Sequence, residues 1–119
     1  MKRVLGLTAV LSSVLTLAVV WTLGGANLPT ATKLENSRVK VTEVTYAPGT
    51  PRERYIRAAD QVIVFLDDCR YERIDSETKE KTVRERKSGD VIWHNRGEDA
   101  PVLTNLGSKS YRTLVIELK

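Results

Sequence analysis

The stretch GTPRERYIRAADQVIVFLDD, residues 49–68, decides the fold prediction for this chain. Its second half, Gln61 to Leu66, is rich in β-branched and aromatic residues, which is typical of a central strand. Three hydrogen-bonding side chains, Tyr55, Arg57 and Gln61, lead directly into this apolar run. Polar groups at the entrance of the most hydrophobic strand point to a role in catalysis, in ligand binding or in holding strands together.

The rest of the chain after Arg38 also has the pattern of short strands separated by turns. Alternating or apolar segments predict strands near residues 38–46, 53–57, 61–66, 70–74, 81–86, 91–94, 102–103 and 111–118. No helical period of useful length occurs after residue 38. Short strands with turns at such intervals favour a closed barrel or a sandwich, so the chain is predicted to be all-β.

The first 26 residues have the three parts of a secretory signal. Lys2 and Arg3 precede an uncharged segment, residues 4–23, and Gly24-Gly25-Ala26 supplies the small residues of a cleavage site. We therefore expect a signal peptide over residues 1–26 and a periplasmic or secreted protein. The alternative is an uncleaved anchor helix formed by residues 4–23, because about 20 apolar residues can span a bilayer. Membrane contact is expected only in that case.

Residues 27–37, NLPTATKLENS, are polar and contain a proline, and predict a flexible lead before a domain of residues 38–119. The formal charge of the chain is +4, but charges of both signs alternate and no block of like charges occurs. No nucleic-acid partner is therefore predicted. Cys69 is the one cysteine, so the domain has no internal disulfide and is interpreted as stabilised by packing.

Residues 49–68 also match the spacing of a known motif. In small single-domain cupins, a glycine is followed at fixed spacings by His-x-His, a glutamate and a second glycine. Gly49 stands at the first glycine, Tyr55 and Arg57 at the two histidines, Gln61 at the glutamate and Asp68 at the second glycine. The spacing resembles that of the cupins, while every metal-ligand residue type is replaced.

A second cupin motif is matched in part further along the chain. Gly89 opens it, Asn95 stands at its proline, Gly97 at its next glycine and Asn105 at its asparagine, with one residue too many before Asn105. The histidine position of the motif is therefore Ala100 or Pro101, neither of which binds metal. The resemblance covers residues 39–118 and implies a cupin-like jelly-roll β-barrel.

The resemblance also bears on activity. A cupin metal site needs imidazole and carboxylate groups around one ion. Tyr55, Arg57 and Gln61 offer neither, and the guanidinium of Arg57 would repel a cation. No metal and no other cofactor are therefore predicted.

Two roles remain for Arg57. In the structural one, which we prefer from sequence, Arg57 pairs with a carboxylate inside the barrel and replaces the metal as a link between strands. In the functional one, Arg57 binds an anionic ligand, with Tyr55 and Gln61 completing the hydrogen bonds. Trp93 and His94 complete this hypothetical ligand-binding set in the barrel interior. A tryptophan or a histidine at such a strand position more often has a packing role than a ligand-binding role.

The resulting prediction is an exported, non-catalytic cupin-like domain that binds a small polar or anionic ligand or acts as a scaffold. The alternative is a cupin-superfamily enzyme, either a metal-independent isomerase or epimerase or a relative of the dioxygenases. No catalytic residue is assigned, although His94 and Tyr55 are the one imaginable acid–base pair. The resemblance to cupins also makes a homodimer plausible.

Overall fold

The computed structural model describes residues 28–119, so the predicted leader of residues 1–26 lies outside the described residues. The described part contains strands and no helix. In chain order the strands are β1 Thr30–Glu35, β2 Val39–Tyr46, β3 Tyr55–Ile56, β4 Gln61–Phe65, β5 Cys69–Ile74, β6 Lys81–Arg86, β7 Val91–His94, β8 Asp99–Ala100, β9 Val102–Asn105 and β10 Tyr111–Leu118. Residues 28–119 include no helix with the length and apolar character needed to cross a membrane.

The strands form three antiparallel sheets. The largest has the order β1-β2-β10-β4-β7, the second has the order β6-β5-β9, and β3 pairs with β8 in a short third sheet. Neighbours in a sheet are mostly distant in sequence, as in a jelly roll. The all-β prediction is confirmed for the described residues.

The core lies between the two larger sheets, where alternate residues of β2, β4 and β10 point inward. Four aromatic side chains form its centre. The rings of Tyr46 and Tyr111 stack with centroids 4.6 Å apart, and Phe65 and Tyr71 each lie within 6.5 Å of Tyr111. All four residues are buried, so this aromatic row forms a wall inside the barrel.

The predicted flexible lead of residues 27–37 is wrong for residues 30–35, which form β1. This strand pairs along β2, with Thr30 opposite Val44 and Glu35 opposite Lys40. Leu28, just before β1, is 1% exposed and belongs to the core. The segment has few apolar residues because most of the side chains of β1 are exposed, and its backbone hydrogen bonds to β2 form without an apolar pattern.

The turn at Gly89 determines how the two larger sheets meet. It connects β6 of the smaller sheet to β7 of the larger one, and Gly89 has a φ of 93°, which favours glycine. Its N–H donates to the Phe65 carbonyl at 2.7 Å. The turn therefore places β6 and β7, the adjoining edges of the two sheets, beside the same interior space.

Candidate functional site

The space between the sheets is a cavity of about 200 Å³. Its apolar wall is the aromatic row together with Ile63, Ile92 and Leu103. Its polar lining is dominated by arginines, namely Arg52, Arg57, Arg73, Arg84 and Arg86, with His94, Glu98 and Asp99. A small cavity with five guanidinium groups and two carboxylates has the charge balance of an anion site.

Arg57 lies inside the barrel and is 3% exposed. Its backbone N–H donates to the Glu98 carbonyl at 3.0 Å, which fixes the segment after β3. Its Nη1 donates to Gln61 Oε1 at 3.0 Å and to the Tyr55 hydroxyl at 3.4 Å. The three residues identified from the sequence are therefore in contact, with Arg57 and Gln61 buried and Tyr55 partly buried.

One edge of the Arg57 guanidinium remains available. Its buried Nε has no hydrogen-bond partner, and within residues 28–119 its Nη2 donates no hydrogen bond. Nε and Nη2 together form the fork that binds a carboxylate with two parallel bonds. Burial lowers the pKa of Arg57, and the nearby Arg52 lowers it further, while Tyr55 opposes both effects.

The preferred structural role for Arg57, an ion pair inside the barrel, is wrong within the described residues. No carboxylate of residues 28–119 forms an ion pair with Arg57. The two carboxylates that line the cavity bind other groups: Asp99 pairs with Arg54, and Glu98 binds His94 at 2.9 Å. Both carboxylates lie near the cavity but are already hydrogen-bonded.

Arg52 is a second buried cation, which sequence reasoning missed. It is 4% exposed, its Nη1 donates to the Tyr46 hydroxyl at 3.2 Å, and its Nη2 donates to the Pro101 carbonyl. Its buried Nε has no hydrogen-bond partner. The guanidinium carbons of Arg52 and Arg57 lie 5.4 and 5.7 Å from the centroid of the Tyr55 ring. The electron-rich ring therefore stabilises both cations.

His94 points into the cavity from β7, because β7 pairs with β4 so that His94 lies opposite Gln61. Its Nδ1 lies 2.9 Å from Glu98 Oε2, and Glu98 Oε1 accepts hydrogen bonds from Asn95 N and Nδ2. The Asn95 N–H, with His94 and the Asn95 side chain, lowers the pKa of Glu98 to about 2. Burial lowers the pKa of His94 despite the opposing effect of Glu98. With its Nδ1–H assigned to the Glu98 carboxylate, neutral His94 would present the lone pair of Nε2 for proton transfer.

Trp93 does not belong to the site, and its inclusion in the barrel interior is wrong. It lies opposite Val62 in the β4–β7 pairing, on the outer face of the sheet, and is 50% exposed. Its Nε1 donates to Asn95 Oδ1 at 2.9 Å. Adjacent residues of a strand point to opposite faces, so His94 and Trp93 cannot both face the cavity.

A metal ion does not fit the side chains at the position where cupins bind one. Tyr55, Arg57 and Gln61 provide no imidazole and no carboxylate, and the buried guanidinium of Arg57 adds a positive charge. Within residues 28–119, no three His, Cys, Asp or Glu side chains lie close enough together to hold a metal ion. The three residues at the ligand positions of the motif form a cationic hydrogen-bonding group instead.

Solved structures similar to this domain were found, although no family model matches the chain and no curated protein is significantly similar to it. A cupin domain from Bordetella pertussis Tohama I has a TM-score of 0.69 and 21% identity, covering 77% of this chain and 93% of its own. The polyketide cyclase RemF from Streptomyces resistomycificus has a TM-score of 0.62 and 16% identity, covering 76% of this chain and 64% of its own.

An RmlC-like cupin with a double-stranded β-helix fold from Methanocaldococcus jannaschii is also similar, with a TM-score of 0.59 and 8% identity over 76% of this chain and 79% of its own. All three identities are low, so these similarities establish the fold alone. The described domain is a cupin-like jelly roll, as the two motifs predicted.

Proposed function

We propose that this chain, whose domain is a cupin-like jelly roll, is an exported and non-catalytic protein that binds a small organic anion in its barrel. The anion would occupy the position at which cupins hold a metal ion. The observation that carries the proposal is the buried guanidinium of Arg57, which has a free Nε and no ion pair within residues 28–119. A buried charge without a counterion costs several kcal/mol, and a ligand carboxylate would remove that cost.

The cavity also supports a size for the ligand. Its volume is about 200 Å³, and an apolar cavity of about 150 Å³ in another protein binds benzene. A carboxylate attached to one ring or to a short aliphatic chain therefore fits. The aromatic row, with Ile63 and Leu103, would contact the apolar part of such a ligand.

Calorimetric titration of the purified chain with benzoate and acetate tests the binding site. We expect benzoate to bind more tightly because the aromatic row contacts its ring. Arg57→Ala removes the charge-assisted hydrogen bonds and should weaken benzoate binding by about tenfold to a hundredfold. The control is Arg38→Ala, an exposed arginine outside the cavity, which should bind as the parent chain does.

The absence of binding of either acid to the parent chain would contradict the proposal and favour the scaffold role. Equal binding by the parent chain and the Arg57→Ala variant would show that the anion binds elsewhere.

The export part of the proposal rests on residues 1–26 and has a separate test. N-terminal sequencing of the protein from the soluble periplasmic or secreted fraction should begin at Asn27, whereas an intact chain in carbonate-washed membranes would indicate an anchor.

A second candidate function is a metal-independent isomerase or epimerase. It is favoured by His94, whose Nε2 is free to accept a proton and whose Nδ1 is held by Glu98 at 2.9 Å inside the same cavity. A base oriented by a carboxylate is the arrangement that removes a proton next to a carbonyl group. The dioxygenase alternative lacks, within residues 28–119, a group of three or more His, Cys, Asp or Glu side chains that could hold a metal ion. Deuterium exchange from solvent into the α-carbon of an added 2-oxo acid, abolished in His94→Gln, would support the enzyme.

A further inference from the structure

A second group of arginines lines the cavity from the smaller sheet. Arg73 lies on β5, and Arg84 and Arg86 lie on β6, the edge strand of the smaller sheet. In the β5–β6 pairing, Arg84 is opposite Tyr71, and Arg73 is opposite Thr82. Tyr71 is a buried core residue, so this face of the sheet is the one that faces the cavity.

The acidic residues of the same two strands lie on the other face. Glu85 is opposite Arg70 and Glu72 is opposite Val83, so neither carboxylate lies on the inner face with the arginines. None of the ion pairs within residues 28–119 includes Arg73, Arg84 or Arg86. The second group therefore concentrates positive charge without an ion pair in the described domain, although Asp75 interacts electrostatically with Arg73 and Asp99 lines the same cavity.

The geometry of this group is partly fixed in advance. Arg86 Nε donates to the Tyr71 hydroxyl at 3.3 Å, and its guanidinium carbon lies 5.7 Å from the Phe65 ring centroid. The hydroxyl oxygen of Thr113, which lines the same cavity and lies opposite Phe65 in the β4–β10 pairing, is buried and has no hydrogen-bond partner. An unsatisfied buried hydroxyl in a cavity lined by guanidinium groups is a second sign of a polar ligand.

The aromatic row separates the two groups of arginines. Arg52, in the first group, binds the hydroxyl of Tyr46, while Arg86, in the second, contacts Phe65 and Tyr71. Among the ring contacts of the described residues, Tyr46 touches only Tyr111, which in turn touches Phe65 and Tyr71. Arg52 forms a bridge to Leu103 of β9, at one edge of the smaller sheet, whereas Arg84 and Arg86 lie on β6, its other edge, so the two groups reach the cavity from different sides.

We infer that the ligand carries two anionic groups joined by a short, flat or extended apolar body. One anion would bind the Arg52–Arg57 pair and the other the group formed by Arg73, Arg84 and Arg86, with the body along the aromatic row. The inference rests on the proposed anion-binding function and specifies its ligand class as dicarboxylates or phosphocarboxylates. A single carboxylate places no negative charge at the second group, whereas a dianion places one negative charge at each group.

Paired ligands that differ by one charge test the inference. Calorimetry should compare terephthalate with 4-carbamoylbenzoate, and adipate with its monoamide, because each pair keeps shape while one carboxylate becomes a neutral amide. We expect at least one of the two dianions to have an affinity about tenfold or more above that of its amide. This is the effect of one charge-assisted contact. The double variant Arg84→Ala/Arg86→Ala should remove this difference, because it weakens binding of the dianions more than binding of the amides.

Arg70→Ala is the matched control, because Arg70 is on β5 but on the outer face, opposite Glu85. It lowers the net charge of the same sheet and should keep the preference for the dianion. Equal affinities of each dianion and its amide in the parent chain would overturn the inference while leaving the single-anion site in place. A preference that persists in the double variant would also overturn it. Failure of every one of these acids to bind would instead overturn the proposed function.

Discussion

Arg57 and Arg52 are buried cations that share one tyrosine ring and lack a carboxylate partner in the described domain. Such groups lower stability, because a buried charge loses its hydration and repels its like-charged neighbour. Proteins commonly keep destabilising groups of this kind at binding sites. Gln61 offsets part of the cost by accepting a hydrogen bond from Arg57.

The first prediction is that apolar residues at these positions stabilise the ligand-free protein. Arg57→Met alone would leave the buried Gln61 Oε1 without its donor, so both residues should be replaced. We expect Arg57→Met/Gln61→Met to raise the free energy of unfolding by about 1–2 kcal/mol, since methionines of similar length fill the space without a buried charge. Urea unfolding measures it, with exposed Arg38→Met as the control. A decrease of about 3 kcal/mol would mean that Arg57 is paired in solution.

The second prediction concerns His94, the one histidine of the chain. Burial lowers its pKa below the ordinary value of 6.5, and Arg57 contributes to this lowering. The unfolded chain therefore binds more protons than the folded one between these two pKa values. Stability should be constant above pH 6.5, fall as the pH drops through the folded pKa, and then level off as far as this group is concerned.

Proton NMR gives the pKa of His94 from a single imidazole resonance. We expect a midpoint below 6.5 in the ligand-free protein and a higher midpoint with saturating benzoate, because an anion stabilises the imidazolium. Glu98→Gln removes the carboxylate that opposes the lowering, so its midpoint should fall further. An unchanged midpoint on adding benzoate would place the bound anion away from His94.

Strand β1 is a polar segment that nevertheless forms part of the folded domain. Its outward side chains carry little apolar signal, but its backbone covers the edge of β2, and Leu28 fills part of the core. An uncovered edge strand exposes unpaired N–H and C=O groups that promote association. The segment therefore belongs to the domain and is not a linker.

The third prediction is that the domain needs β1. Removal of residues 1–37 should lower the free energy of unfolding by about 2–3 kcal/mol relative to removal of residues 1–27, mainly through the loss of Leu28 from the core. The corresponding fall in Tm is roughly 10 °C. Thermal and urea unfolding of the two truncated chains measure the difference. Equal stability would restore the interpretation of residues 27–37 as a flexible lead.

At the scale of the whole molecule, the five-stranded sheet has apolar side chains on its outer face as well as on its inner one. Val91 is 60% exposed and Trp93 is 50% exposed. Register places further apolar residues beside them on the outer face: Val62, Val64, Leu114 and Ile116. A contiguous apolar surface on a sheet is a common contact surface between protein chains.

The fourth prediction is that this outer face joins two copies of the chain in a symmetric dimer. Two copies of the chain present the same apolar face, so these faces can pack against each other about a two-fold axis. Trp93→Glu should shift the protein toward the monomer, with a dissociation constant about tenfold or more higher, because a charge is buried in the contact. Light scattering after gel filtration measures this, and Lys81→Glu on β6, an exposed residue of the smaller sheet, is the control. A monomeric parent chain at micromolar concentrations would contradict the prediction.

The sequence by itself determined the all-β class of the domain. Apolar alternation and the turns were sufficient for that class, because strand period and the positive φ of Gly49, Gly89 and Gly97 are local properties. The jelly-roll topology and the placement of Arg57 near Gln61 were instead inferred from the resemblance to the cupin motifs. The residue types at the ligand positions of those motifs predict that no metal ion binds there.

Only the tertiary structure decided which residues share the interior. His94 faces inward and Trp93 outward because β7 pairs with β4 in one register, and a slip of one residue would exchange them. Arg52 is buried and Arg54 exposed although both lie in one polar run, because the chain between Arg52 and β3 departs from a regular strand. Facing direction depends on pairing with segments distant in sequence, and that information is absent from any local pattern.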